Sequence, residues 1–235
     1  MTMVLDGSAG ITTNAGTVVS TTDATISGLT VGKGGGSIAS NTAVGASALA
    51  ANTSGNTNVA VGASALAANT TGAGTTAVGQ GAMQINTTGN YNDAYGWIAL
   101  YANTTGSSNS AFGNRSLTAN TTGSNNIAVG AVALGANTTG GQNTAIGLQA
   151  LQANTTTSNN TAVGYQAGYS ANGASLLTAI GYQAGYSCVN GDYNTFLGYK
   201  AGYASTLGSA LNQYNTFVGA NSGVATTSGT NNIAL

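Results

Sequence analysis

The sequence lacks most of the residue types on which charged recognition depends. Its 235 residues contain no histidine, no proline and no glutamate, and only three basic and four acidic side chains, which give a formal net charge of -1. A protein that binds nucleic acid or anionic lipid needs a basic patch, which three isolated cations do not form. We therefore predict that neither nucleic acid nor a membrane surface is a partner.

Cysteine is almost absent as well. Cys188 has no second cysteine in the chain, which excludes an intrachain disulfide. We predict that Cys188 is a small buried apolar residue, with a bridge between chains as the alternative. No stretch approaches the ~18 apolar residues of a membrane span, and the first residues lack the basic and apolar regions of a signal peptide. The sequence thus predicts no membrane insertion and no export signal of its own.

Glycine, in contrast, is abundant and periodic. Each repeat glycine closes an Ala-Val-Gly-like tripeptide, and ten of them stand 17 residues apart before a four-residue insertion precedes the eleventh. These coil-defining residues are Gly45, Gly62, Gly79, Gly96, Gly113, Gly130, Gly147, Gly164, Gly181, Gly198 and Gly219. A fixed period of this length is typical of a solenoid, in which each repeat forms one coil stacked on the next. We number the coils 1 to 11 and count positions from the repeat glycine, which is position 0.

The constrained positions of the repeat predict an all-β coil. Alanine stands at position -2 in coils 1 to 9, a large apolar residue at -1, alanine or serine at +3, and leucine or methionine at +4 in coils 1 to 7. Glycine and asparagine interrupt any helical spacing. We predict two short strands per coil, one through Asn-Thr-Ala-Val and one through the Ala-Leu region. The repeat glycine and an Asn-Thr-Thr-Gly turn would separate them, with the small residues letting the two layers approach closely.

Stacking such coils in parallel places equivalent residues directly above one another. Successive coils would lie ~4.8 Å apart, and ladders of Asn, Thr and Val would run along the axis. Each coil offers only about two large apolar side chains, and apolar groups occur on both faces of the predicted strand. A coil of this kind is stable when it is buried inside its own loop and against another chain. The repeat therefore predicts a homo-oligomer of undetermined order.

The repeat resembles that of a known protein family. Asn-Thr-Ala-Val-Gly followed by Ala-Leu is similar to the head repeats of trimeric autotransporter adhesins, and the resemblance covers residues 41-235. It implies a left-handed parallel β-roll (β-solenoid) with 17-residue coils, a homotrimer, and a binding surface rather than a reaction centre. Those adhesins also have a stalk and a membrane barrel, which this sequence does not show.

A second resemblance concerns the longer coil and the opening residues. Val4-Leu5-Asp6-Gly7-Ser8-Ala9-Gly10-Ile11-Thr12 and the Asn-Thr-Thr-Gly turns look like fibre and appendage proteins of tailed bacteriophages. Virion assembly needs no signal peptide. The expectation is a non-enzymatic fibre or spike on a virion, mediating attachment to a host receptor or surface glycan. The alternatives are the head of a bacterial adhesin at the cell surface, a passive decoration or spacer of the capsid or tail, and, remotely, an ice-binding solenoid.

The chain divides into three predicted segments. Residues 1-36 do not keep the period; their strand-like runs, Thr17-Ser20 and Ala24-Val31, precede a flexible Gly34-Gly36. We predict an N-terminal cap or an attachment segment that binds other virion proteins, and the two roles are compatible. Residues 37-156 form regular coils with Asn-Thr-Thr-Gly turns. Residues 157-235 form Tyr-rich coils with one insertion, around Leu207 to Gln213, that should bulge as a loop.

The last segment carries the candidate binding residues. Tyrosines recur at +1 and +5 of coils 8 to 10 and would form two ladders, while Trp97 lies at +1 of coil 4. The predicted surface-binding residues are Tyr165, Tyr169, Tyr182, Tyr186, Tyr199, Tyr203 and Trp97. Exposed aromatic stripes suit sugar rings or a partner surface. The alternative is that the rings stack on one another or line a seam between chains. Because Phe196 and Phe217 replace the small alanine at -2, we also expect the roll to widen or turn its faces there.

The same sequence predicts no catalytic, metal or cofactor site. Without histidine or glutamate, acid-base chemistry would need a pair of aspartates. Asp93 and Asp192 lie about six coils apart, roughly 28 Å along the axis by the strand spacing. Glycosidases need their two carboxyl groups within ~5 to 10 Å. For the ice-binding alternative, a file of threonines at -3 is interrupted by residues such as Val59 and Asp93.

Overall fold

The computed structural model shows an all-β parallel solenoid of about eleven turns with 17-residue coils. It describes residues 24-26, 29-204, 214-226 and 229-235. These residues contain no α-helix and one short 3-10 helix, η1 (Gly35–Ser37). The predicted solenoid is therefore confirmed. The predicted runs Thr17-Ser20 and Leu207-Gln213 lie outside the described residues.

All strands belong to one sheet whose order follows the sequence from β1 to β14. The strands are β1 (Ala24–Ile26), β2 (Leu29–Gly32), β3 (Thr42–Val44), β4 (Val59–Val61), β5 (Thr76–Val78), β6 (Asp93–Tyr95), β7 (Ser110–Phe112), β8 (Ile127–Val129), β9 (Thr144–Ile146), β10 (Thr161–Val163), β11 (Thr178–Ile180), β12 (Thr195–Leu197), β13 (Thr216–Val218) and β14 (Ile233–Ala234). From β3 onwards every pair is parallel and in register: Thr161 faces Thr178, and Ala162 faces Ala179. The predicted ladders of equivalent residues are therefore present.

The prediction of two strands per coil is wrong, because each coil forms only one strand within the described residues. In the Ala-Leu segment, positions +2 and +4 adopt the left-handed conformation, as Ser64 (φ 58°) and Leu66 (φ 51°) do in coil 2. A chain with alternating left-handed residues cannot be extended. Its amides still bond to neighbouring coils, from Ser64 N to Ala46 O (2.8 Å) and from Leu66 N to Ala82 O (3.0 Å). The segment is thus a stacked turn that shares the solenoid's hydrogen bonding.

The repeat glycine is required by the neighbouring coil. Gly113 has a φ of 137°, and a Cβ placed on it would lie 2.7 Å from the carbonyl oxygen of Gly130 in the next coil. Both the backbone conformation and the close contact exclude a side chain. We had predicted a close approach between the two layers of one coil; the close approach is instead between successive coils.

The core is a narrow column of small and medium apolar side chains. In the first seven coils the residues at -2, +3 and +4 are buried, as shown in coil 6 by Ala128, Ala133 and Leu134. One leucine or methionine and two smaller residues per coil fill the space between the strand and the turn. The apolar residue at -1 does not enter this column.

Two buried asparagine ladders close the other turn. At +7, Asn69 Nδ2 donates to Asn52 Oδ1 of the preceding coil (3.0 Å) and to Gly72 O of its own coil (3.0 Å). At -4, Asn58 Nδ2 donates to the same Gly72 oxygen (2.8 Å). Buried amides are stable only when they are hydrogen-bonded, and stacking satisfies them coil after coil. The glycine at +10 is needed because a Cβ on Gly72 would lie 2.4 Å from Asn69 Oδ1.

The N-terminal residues cover the first coil on two sides. Strand β2 pairs antiparallel with β3, and β1 pairs antiparallel with β2. On the turn side, Gly35 N donates to Leu49 O (2.9 Å), and Asn52 Nδ2 donates to Gly35 O (3.3 Å). A Cβ on Gly35 would lie 2.5 Å from Ala50 O. Gly34-Gly36 are therefore packed against coil 1, in contrast to the flexible segment that we predicted. The role of residues 1-36 and the segment boundaries stay predictions.

At the phenylalanines position -2 still points into the core and the strand register is unchanged, so the faces of the roll do not turn there. Phe196 and Phe217 are buried in register with Ala179 above them in the sheet. Space for the rings comes from position +4, where leucine gives way to glycine. A Cβ on Gly202 would lie 2.6 Å from Phe196 Cδ1, and one on Gly223 would lie 2.3 Å from Phe217 Cδ2. In coils 10 and 11 a phenylalanine at -2 and a glycine at +4 thus fill the part of the core that an alanine at -2 and a leucine or methionine at +4 fill in coils 1 to 7.

Candidate binding face

The outer face of the sheet carries a continuous file of apolar side chains. The strand alternates, so that -2 points into the core while -3 and -1 point outwards. Position -1 is exposed or half-buried in all eleven coils. The file consists of Val44, Val61, Val78, Tyr95, Phe112, Val129, Ile146, Val163, Ile180, Leu197 and Val218. We call it the apolar stripe. Within it the rings of Tyr95 and Phe112 stack with centroids 4.9 Å apart.

The predicted tyrosine ladders are present in coils 8 to 10. At +1, the centroids of Tyr165 and Tyr182 are 5.2 Å apart and those of Tyr182 and Tyr199 are 5.4 Å apart. At +5, the corresponding distances are 5.0 Å for Tyr169 and Tyr186 and 5.1 Å for Tyr186 and Tyr203. Interplanar angles are 8-19°. The +1 rings are 38-50% exposed, whereas the +5 rings are half-buried.

This stacking changes which part of each ring a ligand could contact. Because neighbouring rings are nearly parallel and about one coil apart, each central ring has both faces turned towards another tyrosine. A sugar ring normally packs on the face of an aromatic side chain, and in the middle of these ladders the faces are occupied. The ladders therefore present ring edges and phenol hydroxyl groups, repeated once per coil.

A third row lies between the two ladders, and the sequence analysis did not identify it. Position +2 holds Gln149, Gln166, Gln183 and then Lys200. The amides form a chain, with Gln166 Nε2 donating to Gln149 Oε1 and Gln183 Nε2 donating to Gln166 Oε1, both at 2.8 Å. The Lys200 Nζ atom lies 5.5 Å from the centroid of Tyr199 and 5.1 Å from that of Tyr203. The lysine thus joins the two ladders into one surface, in a cation-π arrangement.

We call this surface the tyrosine face: the six ladder tyrosines together with Gln166, Gln183 and Lys200. Its electrostatics follow from its close packing. Burial raises the pKa of the Tyr186 hydroxyl, and the neighbouring hydroxyls of Tyr169, Tyr203 and Tyr165 raise it further. The Tyr186 hydroxyl therefore stays neutral at ordinary pH and acts as a hydrogen-bonding group.

Trp97 is not part of this face. It lies at +1 of coil 4 and is 48% exposed, and Leu148 at +1 of coil 7 is 45% exposed. Arg115 at +2 of coil 5 is also exposed. The residues directly after the repeat glycine therefore lie on the outside of the coil. Trp97 is separated from the tyrosine ladders by three coils without an aromatic residue at +1.

The chemically reactive residues are dispersed. Asp93 lies at -3 of coil 4, and Asp192 Oδ1 accepts a hydrogen bond from Ser175 N (2.8 Å) in the turn of coil 8. In the described part of the chain no three His, Cys, Asp or Glu residues are grouped as a metal site would require. Cys188 is fully buried, as predicted, at position +7. Burial, with a smaller contribution from Asp192, raises the pKa of its thiol to about 12.

Comparison with known proteins found no match to this chain. No model of a protein family matches the chain, and neither a curated protein nor a solved structure is similar to it. Within the described residues, no helix has the length and apolarity needed to cross a bilayer. The function is therefore inferred from the surfaces of the solenoid itself.

Proposed function

We propose that the chain is a non-enzymatic structural and adhesive protein: a left-handed, trimeric rod that forms a fibre or spike of a tailed bacteriophage virion and attaches it to a host receptor or surface glycan. The hand, the trimer and the virion location follow the resemblances in sequence. The observation that carries the proposal is the apolar stripe, which runs along every coil on the outer face of a parallel sheet.

The stripe supports assembly for an energetic reason. Parallel sheets are generally covered on both faces. The continuous file of exposed or half-buried valine, isoleucine, leucine and aromatic side chains along the rod is the kind of contiguous apolar surface that marks an interaction site. Two further copies of the same chain, packed about a common axis, would cover it with equivalent residues at every level. The rod would then be stiff, and residues such as the ladder tyrosines would stay at its outer surface.

Mass measurement under native conditions tests the assembly. We expect a particle of three times the 22.6 kDa chain mass. Replacing Ile146, which lies in the apolar stripe, by aspartate should dissociate it, because a buried unpaired charge is costly. Thr122→Asp, at an exposed turn position, is the matched control and should leave the trimer intact. A folded monomeric parent protein would contradict the proposal.

Adsorption of particles to host cells tests the attachment role. Deleting residues 160-235 removes the tyrosine face and should abolish adsorption. Deleting residues 92-159 removes four whole coils in register, shortens the rod by a similar length and keeps the face. We expect adsorption to persist in this control. Unchanged adsorption after the first deletion would leave the spacer role, and a gene neighbourhood of export genes instead of portal and capsid genes would favour the bacterial adhesin.

A further inference from the structure

The tyrosine face is a strip of repeated hydrogen-bonding groups with a defined spacing. Each of coils 8 to 10 contributes one +1 hydroxyl, one +5 hydroxyl and one +2 side chain, and the ring centroids are 5.0-5.4 Å apart along the axis. The three rows are adjacent, because Lys200 Nζ contacts a ring of each ladder. A ligand that follows the axis would meet the same set of groups three times.

A surface that repeats its groups at every coil favours a linear ligand whose units have the same length along the axis. In an extended β-1,4-linked glucan the length of one sugar unit nearly equals the spacing of stacked coils, roughly 5 Å. Its hydroxyl groups are equatorial and point sideways from a flat ribbon. Successive units are turned over, so each edge of the ribbon still presents hydroxyl groups at every coil. An α-1,4-linked glycan has the same kinds of hydroxyl group, but its chain curves into a helix and leaves the register after one or two units.

The edges of the rings and the uncharged groups suit such a ribbon. Covered ring faces exclude the usual stacking of a single sugar on an aromatic residue, so that a monosaccharide would contact one coil only. A linear chain can instead lie over ring edges, with its hydroxyls meeting phenol and amide groups on both sides. Lys200 is the one charged side chain of the face, so recognition along the face depends mainly on neutral hydrogen-bonding groups.

We propose that the tyrosine face binds a linear β-1,4-linked polysaccharide that runs parallel to the solenoid axis, with one sugar unit per coil. This inference deepens the attachment role proposed above and rests on it. The binding site comprises coils 8 to 10, so that three consecutive sugar units occupy it.

Calorimetric titration of the full-length protein with oligosaccharides of increasing length tests the geometry. With the β-1,4-linked glucose series we expect the affinity to rise up to about three or four units and then to level off. The α-1,4-linked glucose series, which has the same composition, should bind weakly and without this rise. Equal binding of both series, or no dependence on length, would overturn the proposal.

Single-residue variants locate the site. Tyr182→Phe keeps the stacked ring and removes the central hydroxyl, so the β-1,4-linked trimer should bind about two- to tenfold more weakly, the value of one hydrogen bond. Tyr91→Phe is the matched control, because Tyr91 is 70% exposed and lies outside both the tyrosine face and the apolar stripe. Equal weakening in both variants would overturn the location.

The glycan assignment can fail while the attachment role stands, and the experiments distinguish the two outcomes. If deletion of residues 160-235 abolishes adsorption but no β-1,4-linked series binds, the glycan assignment is wrong while attachment stands. If Tyr182→Phe changes the native mass instead of the affinity, the tyrosine face is a seam between chains and the assignment is also wrong.

Discussion

Coils 1 to 7 and coils 8 to 11 fill the core of the solenoid with different residues. In the first set a leucine or methionine at +4 fills the column and asparagines at +7 form the amide ladder. In the second set position +4 is glycine, larger residues enter from Leu177, Phe196 and Phe217, and +7 is apolar in Ala171 and Cys188. The strand register is the same in both. The backbone stack is therefore the constant part of the fold, and the core can be filled from either side.

The exchange between the two sets also concerns backbone strain. The leucines at +4 have a φ near 50°, a conformation that costs a residue with a Cβ about 1-2 kcal/mol. Gly168, Gly185, Gly202 and Gly223 adopt nearly the same φ (59-62°) without this cost. The leucine coils accept the strain because the buried side chain offsets it. The later coils avoid the strain and bury Leu177, Phe196 or Phe217 instead.

The largest test of this comparison is a double-mutant cycle on coil 10. Phe196→Ala should lose about 3-5 kcal/mol of unfolding free energy through its cavity, and Gly202→Leu about 1-3 kcal/mol through overpacking. Together they recreate the alanine and leucine of the early coils, so the double variant should be about 2 kcal/mol more stable than the sum of the two losses. Denaturant unfolding at one fixed protein concentration measures all four proteins. Additive losses would mean that the two core types are not interchangeable.

A second test compares position +7 in the two sets. Asn120 Nδ2 donates to Asn103 Oδ1 and to Gly123 O, both at 2.9 Å, and Asn120 Oδ1 accepts from Asn137 Nδ2 at 2.8 Å. Asn120→Ala leaves the buried Asn103 Oδ1 without this donor and removes one hydrogen bond each from Gly123 O and Asn137 Nδ2, so it should cost about 3 kcal/mol. Cys188→Ala at the equivalent position in coil 9 removes only a small apolar group and should cost about 1 kcal/mol. Similar losses in denaturant unfolding would show that the amide ladder is not what distinguishes the early coils.

The sequence was sufficient for the features that repeat and insufficient for those that depend on the cross-section of a coil. The spacing of the repeat glycines predicted the solenoid and the strand through residues such as Thr161 to Val163. The Ala-Leu segment looked like a second strand because leucine rarely adopts a positive φ, and only the stacked hydrogen bonds of the assembled coils impose it.

The same limit applies to the candidate site. The tyrosine ladders were predicted from their spacing, since residues 17 positions apart must stack in a solenoid. That Lys200 lies between the ladders, and that ring faces are covered, depends on how the turn folds between +1 and +5. Likewise, Phe196 was recognised as a departure from the repeat, but its contact with Gly202 across the column could not be inferred from positions six residues apart in one coil.

The smallest expected effect is an alkaline sensitivity confined to the later coils. Burial raises the pKa of the Cys188 thiol from 9.0 to about 12, so the folded state favours the neutral thiol. This contribution to stability is fully present below about pH 9 and is lost as the pH rises towards 12, because the unfolded chain releases the proton first. The raised pKa of Tyr186 acts in the same direction.

Unfolding free energies of the parent and of Cys188→Ala, compared from about pH 9 upwards, isolate the thiol. The variant keeps the tyrosine contribution and lacks that of the cysteine. The unfolding free energy of the parent should therefore fall more steeply with pH, and its advantage over the variant should shrink and then reverse as the pH approaches 12. Asn120→Ala changes the equivalent position in the early coils, where no group titrates. Its unfolding free energy should therefore stay below that of the parent by a constant amount. Parallel pH profiles for the parent and Cys188→Ala would mean that the thiol ionises without unfolding coil 9, and that the apolar +7 position is less tightly packed than its burial indicates.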